Sequence, residues 1–213
     1  MVGNHNTMVK SNNTITKSNN KKNEKLNILR LLIENPEKDY SIRQITLERK
    51  INYKSTYEII KKLKEEGVVN VKKYGNTSIV KFNFKFNESV FIVENQRKKD
   101  FLKNKDFRVI YRRIKEIKNP FFICVVFGSY AKGTAKRGSD LDLCLITNEE
   151  KIKSELNMIL DITPFNIHYL DFGCEEFIKM LKTTEFNVGK EIVKNKIILK
   201  GVEQFYELIE YAK

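Results

Sequence analysis

Two aspartates separated by a single residue, Asp140 and Asp142, have the side chains and the spacing in this chain that are best suited to chemistry. They stand at the start of an apolar run. Side chains alternate along a strand, so both carboxylates are expected on one face of it. Carboxylates this close repel each other, and a hard divalent cation offsets that repulsion. The pair therefore predicts a site for Mg²⁺ or Mn²⁺.

A glycine–serine pair, Gly128-Ser129, follows an earlier apolar run that is rich in Val, Ile and Phe. The lack of alternation in that run predicts a strand buried on both faces. Glycine at its end suits a turn that approaches another group closely. Residues 130–133 are then expected to open a short helix whose free N–H groups face an anion. The alternative is an ordinary strand–helix–strand unit whose glycines only turn the chain.

The string from Gly-Ser-Tyr-Ala-Lys-Gly at residues 128–133 to Gly-Ser-Asp-Leu-Asp-Leu at residues 138–143 resembles the signature of the DNA polymerase β-like nucleotidyltransferases, most closely their minimal members. The resemblance implies an α/β (α+β) fold class with a mixed sheet flanked by helices. Strand and helix patterns around the motif predict that core at about residues 105–213. The resemblance also implies metal-dependent transfer of a nucleotidyl group from a nucleoside triphosphate, with Asp140 and Asp142 as the catalytic and metal-binding residues.

The same resemblance assigns Gly128 and Ser129 to the triphosphate. Lys132, Lys136 and Arg137 are cations near the motif, suited to neutralising pyrophosphate, and we include Lys132 and Arg137 in the nucleotide site. The alternative is that all three are exposed loop residues.

The family's full active set has a third carboxylate on a neighbouring strand, and here the sequence departs from it. The predicted strand at residues 166–172 carries His168 where that acid is expected. Asp171 is our choice for a third metal ligand, followed by Asp161. A lone histidine on a strand is more often structural, so His168 is not assigned to the site. Without a third acid, the site either turns over slowly or binds nucleotide without catalysis.

Residues 1–24 are dominated by Asn, Lys, Ser and Thr and are expected to be disordered. Three helical patterns follow, the second capped by Ser41 and the third opened by a capping box at Ser55, and then a hairpin pattern with a basic tip. This organisation resembles a winged helix-turn-helix domain at residues 25–86. A linker helix at residues 87–104 is predicted to join it to the second domain.

The winged-helix resemblance implies that the third helix enters a DNA groove and that the hairpin touches the backbone. The alternative is a winged helix used only for protein contacts or dimerisation. The residues expected to contact nucleic acid are Thr56, Tyr57 and Lys61 on the helix and Lys72 and Lys73 on the hairpin.

Charge and cysteine content favour a polyanionic partner and a reducing compartment. The net charge is +13, from 40 basic and 27 acidic residues, although the alternative is that lysine serves here as the ordinary surface residue. The odd number of cysteines, without metal-ligand spacing, predicts small core residues rather than a disulfide framework or a zinc site. No apolar run reaches transmembrane length, so the protein is expected to be cytoplasmic and not to contact a membrane.

The leading hypothesis from the sequence is an enzyme of the EC 2.7.7 class that transfers AMP from ATP to a protein acceptor, as an antitoxin with a DNA-binding winged helix. The alternative is a transcription regulator whose nucleotidyltransferase-like domain only binds nucleotide. Transfer to RNA or to a small molecule is a third hypothesis. A homodimer and a monomer are equally compatible with the sequence.

Overall fold

The computed structural model describes residues 5–164 and 166–213, with side chains from residue 20 onward. The chain divides into two compact units between Asn83 and Phe84. The described residues form both helices and strands, and the strands make two sheets, one in each unit. The fold is therefore of the mixed α/β class that the sequence predicts.

The described residues of the first unit form three helices and a small antiparallel sheet. Buried aliphatic side chains from every helix form its core, among them Leu29, Ile45 and Leu63. The strands are arranged in the order β1-β3-β2. The elements are α1 (His5–Glu34), β1 (Tyr40–Ser41), α2 (Ile42–Arg49), α3 (Tyr53–Glu65), β2 (Val69–Tyr74) and β3 (Thr77–Phe82).

The prediction of disorder through residue 24 is wrong for residues 5–24, which lie in α1; residues 1–4 lie outside the described residues. Part of the reason is side-chain pairing with α3. Lys21 forms an ion pair with Glu58 at 2.8 Å, and the Ser55 hydroxyl donates a hydrogen bond to Glu24. These contacts order polar residues that composition alone assigns to a solvated tail.

The sequence also misses β1 and misjudges the start of α3. Strand β1 has two residues, too few for a periodic signal, and pairs with β3. Helix α3 is capped by Asn52, whose side chain accepts a hydrogen bond from the Ser55 N–H at 2.8 Å. Ser55 is therefore inside the helix rather than its cap, whereas Ser41 caps α2 as predicted.

The second unit is a four-stranded sheet with helices on both faces. The strand order is β6-β5-β4-β7; β5 and β6 are parallel, and the other pairs are antiparallel. The elements are α4 (Glu88–Phe101), α5 (Lys105–Glu116), β4 (Ile123–Val126), α6 (Gly128–Lys132), β5 (Leu141–Ile146), α7 (Glu150–Asp161), β6 (Ile167–Phe172), α8 (Cys174–Lys182), α9 (Val188–Lys194), β7 (Ile197–Lys200) and α10 (Val202–Tyr211).

The two faces of β5 have different roles. Leu141, Leu143 and Leu145 join the core cluster that α5 and α7 cover, as the alternation predicts. Asp142 has the opposite alternation, so its side chain lies on the other face of the sheet. The leucines thus anchor the strand that carries the carboxylate.

Helix α4 is not a linker, which corrects the prediction for residues 87–104. Glu94 and Arg97 of this helix are buried and form an ion pair at 2.6 Å. Arg97 also donates a hydrogen bond to the Lys196 carbonyl at 2.7 Å, and the Tyr206 hydroxyl donates one to Glu94 at 2.6 Å. Buried charges require such partners, so α4 is part of the second unit.

The cysteines of the described chain are free thiols. Cys124 and Cys144 are buried in the sheet, and burial raises the pKa of the Cys124 thiol to about 12. Buried, inert thiols agree with the predicted core role of Cys124 and Cys144, whereas Cys174, at the start of α8, is only partly buried. Over the described ranges, no helix is both long and apolar enough to span a membrane.

Candidate functional site

The end of β4 and the start of β5 meet where Gly128 lies against the Asp142 carboxylate. The Phe127 N–H donates a hydrogen bond to the Asp142 carbonyl at 3.0 Å. Gly128 has φ +66°, and a Cβ at this position would lie 2.0 Å from Asp142 Oδ2. Glycine alone can supply that conformation without overlapping the carboxylate. The close approach of the Asp142 carboxylate therefore explains why glycine occupies position 128, just after β4.

The loop between α6 and β5 ends at Asp140, the residue that directly precedes β5. The Tyr130 ring packs edge-on against Phe107, with centroids 5.0 Å apart, and its hydroxyl donates a hydrogen bond to the Ser139 carbonyl at 3.3 Å. The Ser139 hydroxyl accepts a hydrogen bond from the Lys136 N–H at 2.9 Å. These contacts anchor the residue before Asp140, which is exposed at the entrance of β5.

His168 is the residue that sequence reasoning left out of the site. In the parallel pairing of β5 and β6 it lies directly opposite Asp142, and its Nδ1 is 3.0 Å from Asp142 Oδ1. A hydrogen bond to a carboxylate requires a proton on Nδ1, which leaves Nε2 of the neutral ring as an acceptor. The side chain is 57% exposed, so that acceptor is accessible.

Asp171 does not lie with the other two aspartates, which corrects its prediction as a third metal ligand. Its partner across the strands is Leu145, which has the opposite alternation to Asp142, so its side chain lies on the α7 face. There it forms an ion pair with Lys153 at 3.0 Å. Asp161, the second choice, is the last residue of that same helix.

The basic residues near the motif divide into paired and unpaired ones. Lys132 forms an ion pair with Glu191 of α9 at 2.6 Å, so its charge is already partly neutralised. Lys136 and Arg137 are exposed in the loop and form no ion pair with any described residue.

Ser129, which the sequence assigns to the triphosphate, is partly buried. Its carbonyl accepts a hydrogen bond from the Thr134 N–H at 2.9 Å.

The donor atoms at this corner fit a magnesium-type ion that is held in part by its substrate. Mg²⁺ in such sites commonly uses one or two carboxylates, with the remaining ligands from phosphates and water. Asp140 and Asp142 would supply the carboxylates for such an ion, and His168 contacts one of them, Asp142. In the described part of the chain, no group of three or more His, Cys, Asp or Glu side chains is arranged to hold a metal ion by itself.

The residues predicted to contact nucleic acid are not all exposed. Thr56 is fully buried, and its hydroxyl donates a hydrogen bond to the Asn52 carbonyl at 3.1 Å. It lies three and four positions before Ile59 and Ile60, so helical spacing puts it on the core face of α3. The prediction for Thr56 is therefore wrong. The other four predicted contacts are exposed: Tyr57, Lys61, Lys72 and Lys73.

Residues 108–199 match the family model described as a nucleotidyltransferase domain. The matched stretch runs from α5 to β7 and includes the corner of Gly128, Asp142 and His168. No curated protein and no solved structure gives a match.

Proposed function

We propose that the protein transfers AMP from ATP to a protein acceptor with the help of Mg²⁺ or Mn²⁺, a proposal that the match of residues 108–199 to the nucleotidyltransferase-domain model supports. One observation carries this proposal. The Asp142 carboxylate is held against the backbone of Gly128, with Asp140 two residues before it, where a triphosphate and its metal ion would meet.

Nucleotidyl transfer forms a bond from an acceptor oxygen to the α-phosphorus and breaks the bond from that phosphorus to the β-phosphate oxygen. Pyrophosphate leaves, and the acceptor proton passes to solvent. The developing negative charge dominates the barrier. A divalent ion held by Asp140 and Asp142 neutralises and orients the triphosphate when bound. Gly128 permits a close backbone approach to the phosphates, and Ser129 offers a hydroxyl beside them.

Among the basic residues of the loop, Arg137 is the best suited to the departing pyrophosphate. Its guanidinium presents several donors to phosphate oxygens, and it forms no ion pair with the described residues, whereas Lys132 is paired with Glu191. Lys136 neighbours Arg137 and adds a second positive charge. In this proposal Lys132 contributes mainly by joining α6 to α9.

For the first unit we propose a DNA-binding winged helix. Three helices and a hairpin sheet agree with the pattern behind that resemblance. The exposed side of α3 is basic and aromatic, and the hairpin adds two further cations, so the surface suits a phosphate backbone. The residues concerned are Lys54, Tyr57, Lys61 and Lys64 on α3 and Lys72 and Lys73 on β2.

A transferase joined to a DNA-binding unit suits an antitoxin that modifies a partner toxin and represses its own operon. That role rests on analogy with minimal nucleotidyltransferases. It predicts that the acceptor is a protein and that the acceptor comes from the same host.

A second candidate function is a transcription regulator that binds nucleotide without transferring it. The contact between His168 and Asp142 favours this candidate, because an imidazole stands where a third carboxylate is expected. It predicts DNA binding that changes with ATP and Mg²⁺, together with no label transfer to any acceptor.

The test is incubation with each α-labelled nucleoside triphosphate and Mg²⁺ or Mn²⁺, with and without host lysate, followed by protease or nuclease treatment. The comparison is the D140N/D142N double variant, with D161N as the matched control, since Asp161 is an exposed aspartate at the end of α7.

Protease-sensitive label from ATP that disappears in D140N/D142N and persists in D161N supports protein adenylylation. Nuclease-sensitive label would show that the acceptor is RNA rather than a protein. Equal labelling by wild type and D140N/D142N would exclude this site as the catalytic centre. Each variant is checked for its folded circular dichroism spectrum before the comparison.

A further inference from the structure

A recess in the second unit lies beside α4, α5 and the start of α10. Its volume is ≈ 370 Å³, within the usual range for small-molecule sites. Its wall combines aromatic and aliphatic side chains, such as Phe91, Tyr111 and Leu199, with three lysines, Lys98, Lys115 and Lys200. We call this recess the lysine cavity.

The lysine cavity lies at the opposite end of the sheet from Asp142. Lys200 pairs with Cys124 near the start of β4, whereas Gly128 follows the end of that strand. Four residues of extended chain span about 13 Å. The cavity shares no lining residue with the corner of Gly128 and Asp142, so a ligand there would occupy a separate site.

Lys98 is a half-buried cation without an acidic partner among the described residues. Its Nζ lies 3.4 Å from the Leu199 carbonyl and 5.6 Å from the centre of the Tyr111 ring. Burial, with the nearby charges of Lys115 and Lys99, lowers the pKa of this ammonium. A charge removed from water needs compensation, and an anion would supply it.

Lys200 is in a similar position. Its Nζ lies 3.9 Å from the centre of the Phe122 ring and 3.1 Å from the Asn119 carbonyl. Burial lowers the pKa of this group as well. Among the described lining residues the acidic side chain is Glu203, which is exposed. The cavity therefore has an excess of positive charge.

The start of α10 also favours an anion in the lysine cavity. Its N-cap, Gly201, has no side chain with which to accept the first backbone N–H groups. Val202, Glu203 and Gln204, which open the helix, line the cavity. Unsatisfied N–H groups at a helix start favour a nearby anion, and here they supplement the lysines.

We propose that the lysine cavity binds a small organic phosphate of the nucleoside monophosphate class. The phosphate would lie near Lys98, Lys200 and the start of α10, and the planar base would lie along Tyr111 and Phe91. Free mononucleotide and the end of an oligonucleotide share this chemistry. The site is independent of the metal ion and of the two aspartates.

The test is isothermal titration of the full chain with AMP in EDTA, which removes any contribution from a metal-dependent site. The main variant is K98Q/K200Q, and K98R/K200R retains the positive charge. The matched control is K105Q/K151Q, which removes two exposed lysines of α5 and α7 that do not line the cavity. D140N/D142N is titrated alongside, and a short oligonucleotide with a terminal phosphate replaces AMP in a second series.

We expect K98Q/K200Q to weaken AMP binding about tenfold or more, with K98R/K200R, K105Q/K151Q and D140N/D142N close to wild type. Binding of the oligonucleotide but not of AMP, with the same dependence on Lys98 and Lys200, would keep the phosphate site and contradict the free mononucleotide as its ligand. Loss of binding in D140N/D142N, or no binding that depends on the two lysines, would overturn the proposal. Thermal melts establish that each variant is folded.

Discussion

A side chain at position 128 would occupy the space of the Asp142 carboxylate, since a Cβ there would lie 2.0 Å from Oδ2. Gly133 provides a matched comparison, because it also has positive φ, +71°, but a Cβ added there would have no atom within 4 Å. G128A and G133A therefore share the backbone strain and differ in the displacement of the carboxylate.

We expect G128A to lose at least about tenfold in affinity for Mn²⁺–ATP, while G133A retains it. Both variants should lose roughly 1 kcal/mol of stability from the backbone conformation. Calorimetric titration with Mn²⁺–ATP and urea unfolding measure the two effects. Equal nucleotide affinity in G128A and wild type would show that the Asp142 carboxylate is not needed in its present position.

His168 offers a second residue-scale prediction, because it lies opposite Asp142 with its Nδ1 3.0 Å from the carboxylate. H168D would bring a third carboxylate to this corner, and added ligand charge raises affinity for a hard cation. We expect tighter Mn²⁺ binding, measured by electron paramagnetic resonance with ATP present. D171N is the control, since Asp171 lies on the other face; weaker Mn²⁺ binding by H168D would contradict the prediction.

Local sequence was sufficient for the glycine turn and for the alternation of Asp142 with its leucine neighbours. It also places His168 where the third acid is expected, but it does not reveal the contact with Asp142, because the register between β5 and β6 depends on strand pairing, which no local pattern contains. The prediction that Thr56 contacts nucleic acid fails for a different reason. Its spacing from Ile59 and Ile60 already indicated the core face of α3, and the polar hydroxyl was misleading because it is satisfied by the Asn52 carbonyl.

At the scale of elements, α4 and β7 are joined by a buried group of charges. Lys196 of this group is fully buried, and its Nζ donates a hydrogen bond to the Val193 carbonyl at 3.0 Å. Burial lowers the pKa of its ammonium to about 8. Glu94 and Arg97 of α4 face the same group. The charged residues of α4 are typical of an exposed linker in sequence, but here they are buried and paired in a core.

The lowered pKa of Lys196 predicts a pH dependence of stability. Between pH 8 and about 10.5 the unfolded chain keeps the lysine proton while the folded chain loses it, so this group makes the free energy of unfolding rise with pH. The rise is at most roughly 1.4 kcal/mol per pH unit. The buried thiols and Tyr206 act in the opposite direction above their ordinary pKa values, but they are common to wild type and K196M.

The stability difference between wild type and K196M should therefore shift in favour of wild type from pH 7.5 to pH 9.5. Urea unfolding at both values, followed by circular dichroism, measures it. A difference that stays constant with pH would mean that Lys196 keeps an ordinary pKa in the folded protein.

At the scale of the whole molecule, the net charge of +13 attracts any polyanion, so DNA binding alone would say little about the first unit. The salt dependence of binding is more informative, because each phosphate contact contributes roughly 0.9 to the slope of log affinity against log salt. We expect K61Q/K72Q/K73Q to lower that slope by about 2 to 3.

The control for this measurement is K105Q/K151Q, which removes exposed charge from the second unit. An unchanged slope in K61Q/K72Q/K73Q would contradict DNA binding by α3 and the hairpin. A decrease of similar size in both variants would show that binding follows general charge rather than that surface.

The division into two units was predictable in outline, since the composition and the motifs differ between the two halves. The boundary between Asn83 and Phe84 was less accessible, because Phe86 and the helix after it pack against residues more than a hundred positions later. Phe86 contacts Tyr206 with ring centroids 6.3 Å apart. Contacts of such long sequence separation leave no local pattern, so α4 was predicted as a connection.

The corner of Gly128, Asp140 and Asp142 is expected, above all, to bind a metal–nucleotide complex. The most direct measurement is calorimetric titration of wild type, D142N and D161N with Mn²⁺–ATP. We predict that D142N weakens binding at least about tenfold and that D161N binds as wild type does. Equal affinity in all three proteins would contradict a metal–nucleotide site at this corner.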